Sequence, residues 1–535
     1  MQNKFLKPII YAAILILGIY LGIYISKSNG NFSKIQKGNG SDITLLKDVF
    51  SLIDNEYVDT VNLKSLQSKA ITHVLESMDP HSEYIEPSIL TEVNENLQSS
   101  FHGIGVSFRI EKDTITILEP VKGGPSEKVG ILAGDRIVYV DDSLVAGNKV
   151  TNKTAMSLLK GPKNTKVNVK IKRRGVNELL DFTITRDEIP NNSLDVAYMI
   201  DDEIGFVKLS KFSQTTHEEF VDAVKKLRSA GMKKLILDLR NNTGGFLGEA
   251  VGIADEILKD NQLIVYTEGE HRERSYIFAR HRGLWENNEV VVLIDEGSAS
   301  ASEIVSGALQ DNDRGIIIGR RSFGKGLVQE QFDLGENGAI RLTVARYYTP
   351  VGRCIQKPFT GNKEEYLREE YSRYETGEMY NVDSIHFADS LKYVTPGGKT
   401  VYGGGGIMPD VYVPLKNDST KYFFNRMANA GILFQYAFDY SDSHRKEIKN
   451  YGDAKTFNEK FVFTDAMFNE LMRRTQDKNI EGTAADKAVA RKLAGPLFKA
   501  YVARDIFGDE AFYMIYEPND DILQKALSIL RNEDN

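Results

Sequence analysis

A single cysteine, Cys354, stands among 535 residues. That excludes an intramolecular disulfide and a cysteine-built zinc or iron–sulfur site. The eight histidines are scattered and form no His-x-x-x-His pair, so no histidine metal site is expected. The 14 prolines and 44 glycines follow no period, which excludes collagen-like and proline-rich material. Basic charge is in deficit: 67 Lys and Arg face 75 Asp and Glu, and a net charge of -8 argues against a nucleic-acid partner. There is no internal repeat. What is present is globular in kind, 41% hydrophobic and 27% charged, and long enough for three or four domains.

Residues 8–25 carry no charge over 18 positions, just enough to cross a bilayer core of about 30 Å. No A-x-A pattern follows Ile25, and no cysteine is near for a lipid anchor. The expectation is an uncleaved signal anchor. Lys4 and Lys7 favour a cytoplasmic N-terminus, while Lys27, Lys34 and Lys37 oppose it. This reading puts one pass in an inner membrane and the bulk of the chain in the periplasm, or otherwise outside the cytoplasm. Residues 1–30 form the anchor and the start of a tether, which continues through the Gly/Asn/Ser-rich stretch 31–41.

Beyond the tether the character of the chain changes three times. Residues 42–97 show helical stripes: Leu45, Val49, Leu52 and Ile53, then Leu63, Leu66, Ala70, Val74 and Leu75. Residues 98–186 read as short strands (106–110, 114–118, 136–140, 167–172) separated by glycine-rich turns. From 187 to 415 strands alternate with helices: strands at 204–209, 234–239 and 290–294, helices at 215–230, 246–258 and 300–310. That alternation predicts βα units around a largely parallel sheet. Residues 360–392 form a charged, tyrosine-rich insertion, and 418–535 a helical extension.

Four segments carry chemistry. Phe101-His102-Gly103-Ile104-Gly105-Val106 places glycines before a strand; such a turn can present N–H groups to a carboxylate, and the strand can pair with an extended peptide. The strand ending at Leu239 runs into Arg240-Asn241-Asn242-Thr243-Gly244-Gly245, a glycine loop whose N–H groups suit an oxyanion. Asp295-Glu296-Gly297-Ser298-Ala299-Ser300-Ala301-Ser302-Glu303 opens a helix, where the dipole favours a serine nucleophile. Ser300-x-x-Glu303 fits a capping box equally, and three alternating serines leave the nucleophile open. Ser322-Phe323-Gly324-Lys325-Gly326 sets a lysine between glycines. Burial and nearby positive charge, with Arg320 and Arg321 as candidates, would make it a base. Gln329, four residues on, shares its face in either a helix or a strand and can orient it. No histidine is comparably placed, so a Ser-His-Asp triad is not suggested.

The run Gly124–Ile137 after the glycine turn resembles the helix-and-turn segment of PDZ domains in bacterial proteases. The whole set of motifs resembles the carboxyl-terminal processing, or tail-specific, proteases. Residues 295–310 look like that family's nucleophile signature and 322–329 like its base signature. Further matches lie at 79–84, 206–213, 238–245 and 401–411, so the resemblance spans about 42–415. In the family the lysine follows the serine by about 25 positions, which selects Ser300 with Lys325.

The resemblance implies a multidomain α/β protein: anchor, helical segment, PDZ-like β domain at 98–186, crotonase/Clp-like α/β protease core at 187–415 and helical tail. It implies a Ser300/Lys325 dyad with Lys325 held by Gln329. The oxyanion hole would come from Ala301 N–H and one of Gly244 or Gly245. Tails would be captured at Gly103, Ile104, Gly105 and Val106. The implied partners are polypeptides with apolar free C-termini, the membrane through the N-terminal helix, a second copy through the terminal helical segments, and a regulatory or adaptor protein. No metal, nucleotide or other cofactor is required, and hydrolysis would be ATP-independent. Two alternatives are a crotonase-like acyl-CoA enzyme, which explains only Gly244-Gly245, and a catalytically silent PDZ scaffold.

Overall fold

A computed structural model describes residues 43–280, 282–416 and 418–533. These fall into two compact units that divide between Ile71 and Thr72. In the first, the helix Ile43–Glu56 leaves Leu45, Leu46, Val49 and Leu52 exposed.

The second unit is organised by a six-stranded sheet. Its strands are β1 (Leu194–Met199), β2 (Ile204–Leu209), β3 (Lys234–Asp238), β4 (Glu289–Ile294), β5 (Ile316–Gly319) and β6 (Val411–Tyr412), paired in that order. β1 runs antiparallel to β2; all later pairs are parallel. Strands buried on both faces read as continuous apolar runs, which is why β3 and β4 were legible. One face is covered by α1 (Thr216–Ser229), α2 (Leu247–Ile257) and α3 (Ala301–Asp311), through Phe220, Ile253 and Val305 among others. The other face, with Phe206, Ile236, Val291, Leu293 and Ile318, is covered by the terminal helix Asp521–Leu530.

A second, antiparallel sheet was not foreseen. Ala339–Tyr348 pairs with Glu83–Ile85, Leu263–Gly269 and Leu327–Asp333, and Arg272–Phe278 forms its edge. Its strands are half exposed and polar, so they lack the apolar runs of the first sheet. The small β domain has five main strands in the order Val106–Glu111, Thr114–Pro120, Arg136–Val140, Lys166–Lys172 and Leu179–Thr185. Helix Asn152–Leu159 packs Ala155 and Leu159 onto their common core.

The tail builds its own helical core around Met427, Leu433, Phe457, Leu471 and Phe498. Its helix Ile432–Lys449 holds the small β domain: the Arg109 guanidinium lies 4.0 Å from the Phe438 ring centroid and 5.1 Å from that of Phe434. Gln435 Nε2 donates to Glu111 Oε1 at 2.6 Å beside that stack.

The expected membrane placement is corrected here. Among the described residues no helix is long and apolar enough to cross a membrane. The proposed anchor at 8–25 and the tether at 31–41 lie outside those residues.

Candidate active site

β4 ends at Ile294, and the turn after it is tied to the neighbouring glycine loop. Asp295 Oδ1 accepts the Asn241 N–H at 2.8 Å. Ser298 Oγ donates to Leu239 O and Ser302 Oγ to Asn242 O, each at 2.8 Å, and both serines are fully buried. The middle serine differs. Ser300 has φ 56° and ψ -111°, a region that non-glycine residues rarely occupy and that stores strain. Its side chain makes no cap hydrogen bond. Glu303 Oε2 takes the Ser300 N–H at 2.8 Å, the glutamate half of the capping box.

Ser300 lines a cleft of about 850 Å³ together with Gly244, Gly245, Lys325, Gln329 and Tyr347. Gly244, at φ +98°, lies against Ser300: a Cβ there would come within 2.7 Å of Ser300 Cβ and 2.9 Å of Ala301 N. Only glycine permits that approach. The Gly244 N–H is not a free donor, because it is given to Asn242 Oδ1 at 2.9 Å. Gly244 is thus corrected from donor to spacer. Among the described residues no acceptor meets the Gly245 or Ala301 N–H.

Lys325 sits in an irregular loop before the strand Leu327–Asp333. Its Nζ donates to Gln329 Oε1 at 3.0 Å, and Gln329 Nε2 donates to His81 O at 2.6 Å. No hydrogen bond joins Nζ to the Ser300 hydroxyl. Burial lowers the Lys325 pKa, and the charge of Arg341 lowers it further. The expected source of that charge is corrected: Arg320 is paired with Glu296, and Arg321 with Glu378 and Glu369. Arg341 lies on the second sheet, so sequence proximity could not reveal it.

Two further residues were missed. Fully buried Glu303 accepts from Ser300 N and Lys325 N through Oε2, and from Ser322 Oγ and Gly324 N through Oε1, at 2.5–2.8 Å. Burial pushes its pKa up to about 6 against the pull of those bonds. The Tyr347 hydroxyl sits 3.1 Å from Ser300 O and 2.5 Å from Lys325 O. Serine and lysine segments are thereby fixed to each other at the backbone.

A second cavity, of about 360 Å³, opens in the small β domain between Val106–Glu111 and Asn152–Leu159. Gly103, Ile104, Gly105 and Val106 line it, with Phe108, Met156 and Leu159 supplying apolar surface. Among the described residues, Val106–Glu111 pairs on one side only, leaving its other edge open to an added strand.

Comparison with known proteins agrees with these parts. The pattern of Peptidase family S41 matches residues 203–363, and that of the PDZ domain matches 103–184. Residues 423–508 match a family of unknown function. A carboxy-terminal-processing protease of Bartonella bacilliformis is 38% identical over 314 residues, covering 58% of this chain and 71% of its own. Carboxy-terminal processing protease CtpB of Bacillus subtilis is 33% identical over 320 residues, 58% of this chain and 65% of its own. A solved photosystem II D1 C-terminal processing protease shares 27% identity over 70% of this chain and 88% of its own, at a TM-score of 0.37. The chain belongs to the carboxy-terminal processing proteases of Peptidase family S41, serine-type peptidases, and carries the PDZ domain in its small β fold.

Proposed function

We propose that the chain is an endopeptidase that captures apolar free C-termini in the PDZ groove and cuts through a Ser300/Lys325 dyad. The observation that carries this reading is the meeting of a strained, cleft-facing serine and a half-buried, pKa-lowered lysine in one cleft. Neutral Lys325 takes the Ser300 proton as Oγ attacks the scissile carbonyl. The oxyanion is received by the Ala301 and Gly245 N–H groups. Lys325 then protonates the leaving amine, and water hydrolyses the acyl-enzyme. Forming the Ser300–Lys325 hydrogen bond requires Nζ to swing from Gln329 or to share its protons between the two. No nucleotide enters these steps. The apolar residues exposed on Ile43–Glu56 support a homodimer through that helix. A silent scaffold has no use for a strained Ser300.

The reading is tested with an unfolded reporter ending in a free apolar carboxylate and with the same chain amidated. The free form is cut, and the amidated form binds and is cut at least tenfold less well at limiting substrate. Equal rates on the two would remove the PDZ capture step.

A pH dependence follows from the lysine. The base is the neutral form, so kcat rises with pH until Lys325 has lost its proton. Burial and Arg341 place that limb below the ordinary lysine range. Arg341→Gln removes a positive neighbour and moves the limb to higher pH. A profile unmoved by that substitution would show that Lys325 does not set it.

A further inference from the structure

The lysine loop 320–326 has no helix or strand of its own, yet most of its backbone groups are hydrogen-bonded. Its N–H groups go to distant acceptors: Ser322 to Ile407 O, Phe323 to Ser298 O, Gly324 and Lys325 to Glu303, and Gly326 to Gln356 Oε1. Its carbonyls need donors just as much. Lys325 O meets Tyr347, and Gly324 O takes the Lys357 N–H. The three carbonyls before them converge on one side chain from the 360–392 insertion. Arg373, on the helix Lys363–Glu375, donates through Nη1 to Arg321 O at 3.1 Å and Ser322 O at 3.0 Å, and through Nη2 to Phe323 O at 3.2 Å.

Arg373 is 2% exposed and is aimed by Glu369, which takes its Nε and Nη2 at 2.9 and 3.0 Å. Glu369 also holds Lys357 Nζ at 3.0 Å, directly over the Phe323 ring. The same helix reaches the other side of the lysine. Tyr366 OH meets His81 Nε2 at 2.9 Å, and His81 O is the acceptor that fixes Gln329. One helix thus supports both the backbone before Lys325 and the amide that orients its amine.

Given the Ser300/Lys325 reading, on which this step depends, we infer that Arg373 is a positioning residue for Lys325 and that the insertion is part of the catalytic apparatus. A planar guanidinium can serve a carboxylate and three carbonyls at once; an ammonium lacks that fork. Displacing a catalytic group by about 1 Å costs about 100-fold in rate.

The test compares Arg373→Ala, Arg373→Lys and Lys325→Ala in the full chain, with active concentration set by tail-peptide binding. The expected result for Arg373→Ala is a kcat about 100-fold lower with KM unchanged. Its acid limb moves to higher pH as water reaches Lys325. Arg373→Lys recovers part of the rate. If Arg373→Ala does not fold, Glu369→Gln, which keeps the guanidinium and removes its aim, shows the same pattern at about tenfold loss. A kcat and pH profile unchanged in the folded fraction overturn the inference. So does a loss that only tracks unfolding. Turnover that survives Lys325→Ala defeats the dyad itself, whereas a dead Lys325→Ala beside a normal Arg373→Ala defeats only the inference.

Discussion

Ser300→Ala leaves the protein folded and tail-binding but lowers turnover by about 10⁴- to 10⁶-fold, the range for losing the nucleophile of a serine protease. No neighbouring hydroxyl can replace it. Ser298 and Ser302 are buried, and their hydroxyls are committed to backbone carbonyls. Alanine keeps the Cβ of serine and is no more strained at φ 56°, so the elbow survives the change. Lys325→Ala produces a loss of the same order, and the double variant is no worse than either, because the two act as a unit. Single-turnover cleavage of the tail-bearing reporter by pure protein is the measurement. Residual cutting within tenfold of the parent would exclude Ser300 as nucleophile.

Removing residues 520–535 is expected to abolish cooperative folding. The terminal helix lays Ile522, Leu523, Ala526, Leu527 and Leu530 on the back of the central sheet. Four large side chains at about 1.5–3 kcal/mol each amount to about 6–12 kcal/mol. A typical domain is stable by only about 5–15 kcal/mol, so little remains. The cut also strips polar partners. Asp520 accepts from Arg240 Nη1 at 2.8 Å and pairs with its Nη2 at 2.8 Å, and Arg240 stands over buried Asp238 at the root of the glycine loop. Lys234 loses the Leu530 carbonyl as well. Thermal melts and ANS binding check this. A truncated chain that is soluble, melts cooperatively and excludes the dye would show that the sheet tolerates an open face. Leu527→Ala is the milder form, costing about 2–5 kcal/mol.

The catalytic fold was legible where burial on both faces wrote itself as a run, as in Leu235–Ile236–Leu237 and Val290–Val291–Val292. It was illegible in the second sheet, where Leu327–Asp333 exposes half its length and matches neither period cleanly. The same division holds for the site. Lys325 stood out through its flanking glycines and Gln329 through its spacing, whereas Ser300 was one of three alternating serines until the family resemblance selected it. Glu303, Tyr347 and Arg373 could not. Each is defined by backbone atoms far along the chain, and a lone glutamate three residues into a helix reads first as a cap. Arg320 and Arg321 mislead for the converse reason: they adjoin the lysine in sequence, but their charge is spent on Glu296, Glu369 and Glu378.

Glu303 also sets two optima against each other. Its folded pKa of about 6 lies above the ordinary glutamate value of 4.5. Between those values the folded state holds a proton that the unfolded state has already released. Proton linkage then makes folding stability decline as pH rises through that window, a penalty that persists at neutrality. The ionised carboxylate is nevertheless what four donors around Ser300 and Lys325 converge on. The pH at which the Ser300 elbow is best organised is therefore not the pH at which the molecule is hardest to unfold, an opposition confined to one buried side chain.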